Sequence, residues 1–201
     1  MYFLYLILLV ALVFVVHSIL PTYYNKIFNK DIVRTTGQAN KIMLTFDDGP
    51  DDRYIHELLE VLDQNQVKAS FFMVAENAQK NKMVVEKILG AGHRVMKDLG
   101  LDQMLYRPPW GHTNIFSNHF VKKYGMKMIY WDVMAEDWEA QASPESIRKK
   151  LLDRTGPTSI ICLHDAGENS GGAVGAPKNT IEALRLAIPE LKAKGYEFIL
   201  P

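Results

Sequence analysis

The chain has a single cysteine, Cys162, among its 201 residues, which excludes an internal disulfide and a zinc site built from cysteines. It has no excess of either charge, because Lys+Arg and Asp+Glu stand at 23 each. That balance excludes the basic footprint by which a chain binds nucleic acid. No low-complexity segment or short internal repeat stands out. With 48% hydrophobic and 23% charged residues the composition is that of a globular protein, and the length suits one substantial domain.

Charge is also missing at the N-terminus. No Lys or Arg precedes the apolar run Tyr2–Leu20, and no small-x-small cleavage site follows it. A secretory signal normally has a basic start and a shorter apolar stretch. Nineteen helical residues reach roughly 28 Å, about the thickness of the hydrocarbon core. Residues 1–20 are therefore expected to be an uncleaved single-pass anchor, with a signal peptide as the alternative. Residues 21–40 are polar and mixed and are expected to tether a domain at 41–201. Lys26, Lys30 and Arg34 just after the span favour, by the positive-inside rule, a cytoplasmic C-terminal side.

From Lys41 onward short β-rich runs alternate with helical patterns. Strands are expected at Ile42–Phe46, Ala69–Val74, His93–Met96, Leu105–Arg107, Lys127–Val133, Ser159–Leu163 and Tyr196–Leu200. Ile55, Leu58, Leu59 and Leu62 fall at i, i+3, i+4 and i+7 of a helix, and Ile181, Leu184, Ile188 and Leu191 mark the last one. Further helices are expected over 75–89 and 117–124. Ser143-Pro144 supplies a cap and first turn for another helix, running to about Arg154. Strands alternating with helices predict a parallel α/β domain, either a barrel or an open sheet.

The first strand ends in two adjacent carboxylates, Asp47-Asp48, followed by Gly49-Pro50. A strand running into an Asp-Gly-Pro turn accounts for these residues structurally. Two carboxylates so close in a partly buried pocket also call for a cation, and being adjacent they can divide labour between metal ligand and base. Arg107 ends the fourth strand, Asp132 the fifth with Asp137 beyond it, and His164-Asp165 the sixth. Sites in parallel α/β folds gather at the carboxyl ends of strands. Four such ends carrying ionisable residues point to an active site.

TFDDGP at 45–50, RPPWG at 107–111, WDV…EDW at 131–138 and LHD at 163–165, in that order, resemble the polysaccharide deacetylases of the NodB type, carbohydrate esterase family 4. The resemblance covers about Lys41–Pro201, including the closing helix and strand. It implies a distorted (β/α) barrel and metal-dependent removal of N- or O-acetyl groups from a peptidoglycan- or chitin-like glycan. It further implies an extracytoplasmic domain, in conflict with the charge rule. Carried over by position, Asp47 would be the general base and Asp48 a ligand of the divalent metal, zinc. Arg107 would hold Asp47 ionised. Pro108 and Trp110 would wall the groove, and Leu163 would line the acetyl pocket. His164 would be the general acid, oriented by Asp137 or, in second place, Asp132.

The family's His-x-x-x-His metal motif is absent. His93 matches a glycine-histidine that precedes it. The ligand positions would fall at Asp98 and Asp102, with His112 as a further candidate; His56 and His119 lie on helical patterns and read as surface residues. A parallel crossover normally needs a dozen or more residues, yet eight separate Met96 from Leu105. One barrel unit or crossover helix is thus expected to be missing. The alternative to an enzyme is an inactive, membrane-anchored glycan-binding or scaffold protein on the same fold.

Overall fold

The computed structural model describes residues 2–95, 105–168 and 171–201. In chain order the elements are α1 (Tyr2–Phe14), a π-helical turn (Val15–Ile19), α2 (Leu20–Ile27), β1 (Lys41–Asp47), α3 (Asp52–Gln64), β2 (Ser70–Phe72), α4 (Ala75–Lys80), α5 (Lys82–Gly90) and β3 (Arg94–Val95). They continue with β4 (Leu105–Tyr106), a 3-10 turn (Pro109–Gly111), α6 (Ser117–Lys123), β5 (Lys127–Met128), β6 (Val133–Met134), α7 (Pro144–Arg154), β7 (Ile160–His164), α8 (Ala176–Ala193) and β8 (Glu197–Phe198). Two compact units result, one drawn from Met1–Val33 and Asp98–Tyr130, the other from Arg34–Lys97 and Trp131–Pro201.

The second unit is a parallel sheet in the order β3-β2-β1-β7-β6, with β8 pairing with β1 at Lys41 and Ile42. β1 is central because Ile42–Phe46 can be buried whole. Its one polar side chain there, Thr45, donates its hydroxyl to the Ile161 carbonyl at 2.6 Å, which removes the cost of burying it. The helices cover the sheet as their periodicity dictates: Ile55, Leu58 and Leu62 of α3 and Ile181, Leu184 and Ile188 of α8 are all buried. α7 begins on a reciprocal cap, Ser143 Oγ accepting from Ser146 N–H and Ser146 Oγ from Ser143 N–H.

Two expected elements are divided. The helix over 75–89 breaks at Asn81, whose side chain donates to the carbonyls of Pro50 and Asn77 and so competes with the helix ladder. The strand over Lys127–Val133 serves two sheets. Its start, β5, pairs in parallel with β4 in the first unit, whereas β6 pairs with β7 in the second. β3 pairs with β2, so β3 and β4 lie in different sheets. The expected missing unit falls on residues 96–104, outside the described residues, as do Asp98 and Asp102.

In the first unit the helix does not stop at Leu20. Pro21 has no N–H, so the His17 carbonyl loses its i+4 donor. Ile115 N–H replaces it at 3.1 Å. Thr22 then exchanges two hydrogen bonds with the Thr113 backbone, at 2.8 and 3.0 Å, and Asn25 donates to Thr113 Oγ1 at 3.0 Å. Residues just beyond the apolar run are thus fixed to the 113–118 segment.

Leu58, about 1% exposed, lies on the buried face of α3 in the hydrophobic core. Leu58→Ala is expected to cost about 2–5 kcal/mol through lost burial and a cavity, read as a lower urea midpoint at unchanged slope.

Candidate active site

The parallel register of β1 and β7 sets Asp47 directly beside His164 at the carboxyl ends of the two strands. β7 presents them this way because Ile160–Leu163 are buried and His164 is the first residue to emerge. The His164 ring shares a hydrogen bond between Nδ1 and Asp137 Oδ1 at 2.9 Å, and its backbone N–H donates to Asp137 Oδ2 at 2.9 Å. Thr180 of α8 donates to the same Oδ2 at 2.9 Å. Asp137, 1% exposed, is thereby a fixed anion that orients the imidazole and leaves Nε2 for other work. The Trp138 ring stands edge-on to His164 at 5.1 Å.

Asp132, the second candidate for orienting His164, is engaged elsewhere. It accepts from Ser159 Oγ at 2.8 Å and from Ile160 N–H at 2.6 Å, so it closes the turn entering β7.

The carboxylate turn is shaped by close backbone approach. Asp48 takes a left-handed conformation, φ 74°, which costs about 1–3 kcal/mol unless surrounding bonds hold it. Here Asn77 donates to the Asp48 carbonyl at 2.8 Å and Val74 N–H to the Gly49 carbonyl at 3.0 Å. Gly49 is required. A Cβ there would stand 2.0 Å from Asp165 Oδ2. At Gly167, which has φ 116°, a Cβ would stand 3.0 Å from Asp48 Oδ2. The loop after β7 thus closes directly on the DDG turn. Cys162 Sγ donates to Asp47 Oδ2 at 3.4 Å.

The charges partition around one imidazolium. Burial lowers the affinity of His164 for a proton, but Asp137, Asp47 and Asp48 together raise its pKa to about 9. Burial raises Asp48, partly offset by His164 and reinforced by Asp47 and Asp137. Asp165 is buried with neither carboxyl oxygen hydrogen-bonded among the described residues, and that burial, with Asp47 and Asp48 nearby, pushes it up to about 8. At neutral pH His164 is charged and Asp165 is neutral. Asp165 belongs to the LHD motif, but only its contact with Gly49 reveals this burial.

Leu163 is fully buried in the core beneath this site. His93 is also buried; its Nδ1 accepts from Ala69 N–H at 3.1 Å, and burial takes its pKa down to about 4. His56 is exposed between Asp52 and Lys87, at 3.0 and 2.9 Å. Arg107 and Pro108 are buried, and Trp110, His112 and His119 exposed, in the other unit; Trp110 has φ 55°. Among the described residues no three His, Cys, Asp or Glu side chains gather closely enough to hold a metal ion. The described residues therefore do not form the ligand set that the resemblance implies.

Asp137, His164 and the neighbouring Asp47 at the carboxyl end of a parallel sheet are the kinds of group that acid–base chemistry uses. The polysaccharide deacetylase family profile matches residues 34–98. A peptidoglycan-N-acetylglucosamine deacetylase of Bacillus cereus is 29% identical over 188 residues, 79% of this chain and 84% of the relative. A chitooligosaccharide deacetylase of Azorhizobium caulinodans is 26% identical, over 81% of this chain and 93% of the relative. The crystal structure of the Bc1960 peptidoglycan N-acetylglucosamine deacetylase superposes with a TM-score of 0.72 at 26% identity, covering 84% of this chain and 90% of that one. The chain is thus similar in sequence to polysaccharide deacetylases of the NodB type and shares their distorted (β/α) fold.

Asp137→Asn is expected to lower the His164 pKa from about 9, because burial would then be opposed only by Asp47 and Asp48. Because the folded-state pKa is raised, the stabilisation is complete below about pH 6.5 and is lost as pH rises through about 9. Imidazole NMR titration reads the shift; an unmoved pKa in the variant would refute the pairing.

Proposed function

We propose that the chain is a hydrolase that removes acetyl groups from an acetylated peptidoglycan- or chitin-like glycan. The juxtaposition of Asp47 and His164, with His164 held charged by Asp137, carries this reading. Asp47 takes a proton from water as its oxygen attacks the acetyl carbonyl carbon. The tetrahedral centre then collapses, the C–N bond breaks, and His164 Nε2 gives its proton to the departing amine; acetate leaves. For an O-acetyl group the same proton goes to the departing alcohol oxygen. An acid with a pKa of about 9 is already loaded at neutral pH, and Asp137 holds it in place through the cycle.

The roles implied for Arg107, Pro108, Trp110 and Leu163 rest on their motifs. A divalent metal, zinc, would have Asp48 as its ligand in this unit, with Asp98, Asp102 and His112 as further candidates by position. The helix Tyr2–Ile27 is long and apolar enough to cross a membrane and supports a single-pass anchor through residues 2–20, with the domain extracytoplasmic.

A second reading, an inactive glycan-binding protein, is favoured by one observation: the sequence keeps Asp48 but no His-x-x-x-His. Acetate release from an acetylated chito-oligosaccharide separates the two. Asp47→Asn and His164→Ala are each expected to lower the rate by about 10²–10⁴-fold, and wild-type activity to fall as pH rises through about 9. Glycan binding without acetate release by the wild type would overturn the hydrolase. Metal analysis of the purified chain tests the cofactor: zinc held by the wild type and lost in Asp48→Asn would make Asp48 a ligand in a set completed outside the described residues, and equal metal in both would remove Asp48 from it.

A further inference from the structure

α6 is seven residues long and buries none of them. Its aromatic residues form an exposed stripe at i, i+4 and i+8: Phe116 is 53% exposed, Phe120 47% and Tyr124 57%, with Ile115 beside them at 51%. Phe120 and Tyr124 stack at 6.4 Å, and Lys123 Nζ lies 6.0 and 5.8 Å from their ring centroids. So short a helix cannot keep an apolar face in water through its own stability. Something must cover it.

The attachment of this segment to the apolar helix indicates what does. Ile115 N–H occupies the His17 carbonyl that Pro21 leaves unserved, and the His17 and Phe116 rings meet edge to face at 6.2 Å. His17 lies about one turn before Pro21, so Ile115 and Phe116 sit level with the end of the apolar run. Around that level the helix itself exposes Val16, Ile19 and Leu20, followed by Tyr23, Tyr24 and Phe28. Those two surfaces are continuous within one unit. Aromatic side chains flanked by a lysine, here Lys123 over the Phe120 and Tyr124 rings, are the composition that partitions to the headgroup layer. The lysine stem can run along the rings while its ammonium group meets lipid phosphates.

We propose that Ile115, Phe116, Phe120 and Tyr124 form a membrane-interface seat, occupied by the headgroup–acyl boundary of the bilayer that α1 enters. The inference rests on the single-pass reading of residues 2–20. The seat and the Thr22–Thr113 lock would together fix this unit at the bilayer surface, so that it does not swing on a tether.

The full chain, reconstituted in phosphatidylcholine–phosphatidylglycerol vesicles, tests this with bimane on Phe120→Cys or Phe116→Cys and, separately, on Leu12→Cys. Cys162 is buried and escapes labelling. The expected result is strong quenching at Phe120→Cys by lipid bearing a shallow doxyl group, and at Leu12→Cys by lipid bearing a deep one. Quenching at Leu12→Cys with none at either stripe position would overturn the seat and leave the span. A blue-shifted but unquenched stripe label would do the same, assigning the face to a second copy or another protein. No quenching at Leu12→Cys would refute the span, and the seat with it.

Discussion

The site depends on one imidazolium placed among carboxylates. Asp47, Asp48, Asp137 and Asp165 converge on the carboxyl ends of β1 and β7, where burial penalises the negative charge of Asp48 and Asp165. His164 is the positive charge that β7 brings to that cluster, and Asp137 fixes it through both the ring and the backbone N–H. The other groups adjust to this pair. Asp48 and Asp165 rise because burial and neighbouring anions outweigh what one imidazolium returns.

Shape carries as much of the site as charge. The DDG turn can approach the loop after β7 only because Gly49 and Gly167 offer no Cβ to the carboxyls of Asp165 and Asp48. Asn77 and Val74 hold the left-handed Asp48 from the opposite side. Burying the strand end, bending the turn and aiming its two carboxylates in different directions are therefore one structural event. The first unit shows the same logic at a helix end. A proline that leaves a carbonyl without a donor makes a docking point, and Ile115 fills it.

Much of this was legible in the chain. The apolar run into Asp47-Asp48, the helical spacing of Ile55–Leu62 and Ile181–Leu191, and the Ser143-Pro144 cap are local patterns, and each element formed where its pattern lay. The pairing of Asp137 with His164 could be inferred through motif resemblance, whereas nothing in the spacing separated Asp137 from Asp132. Register decides it: β6 beside β7 puts Asp132 at the entry to β7 and the segment beyond β6 at its exit. The division of 127–134 between two sheets was illegible for the same reason, since one apolar run satisfies either partner.

Local pattern in the chain was enough to place the strand that ends in two carboxylates, the helices that cover it, the apolar N-terminal helix and the resemblance to NodB-type deacetylases. Long-range contact alone sets that Asp165 is buried with no hydrogen-bonding partner among the described residues, that Gly49 must lack a Cβ, and that residues 113–118 lock onto the turn after Pro21. Hydrophobic period and capping act between residues a few positions apart. A buried carboxyl or an orphaned carbonyl is defined by what chain reversal brings to it from about a hundred residues away.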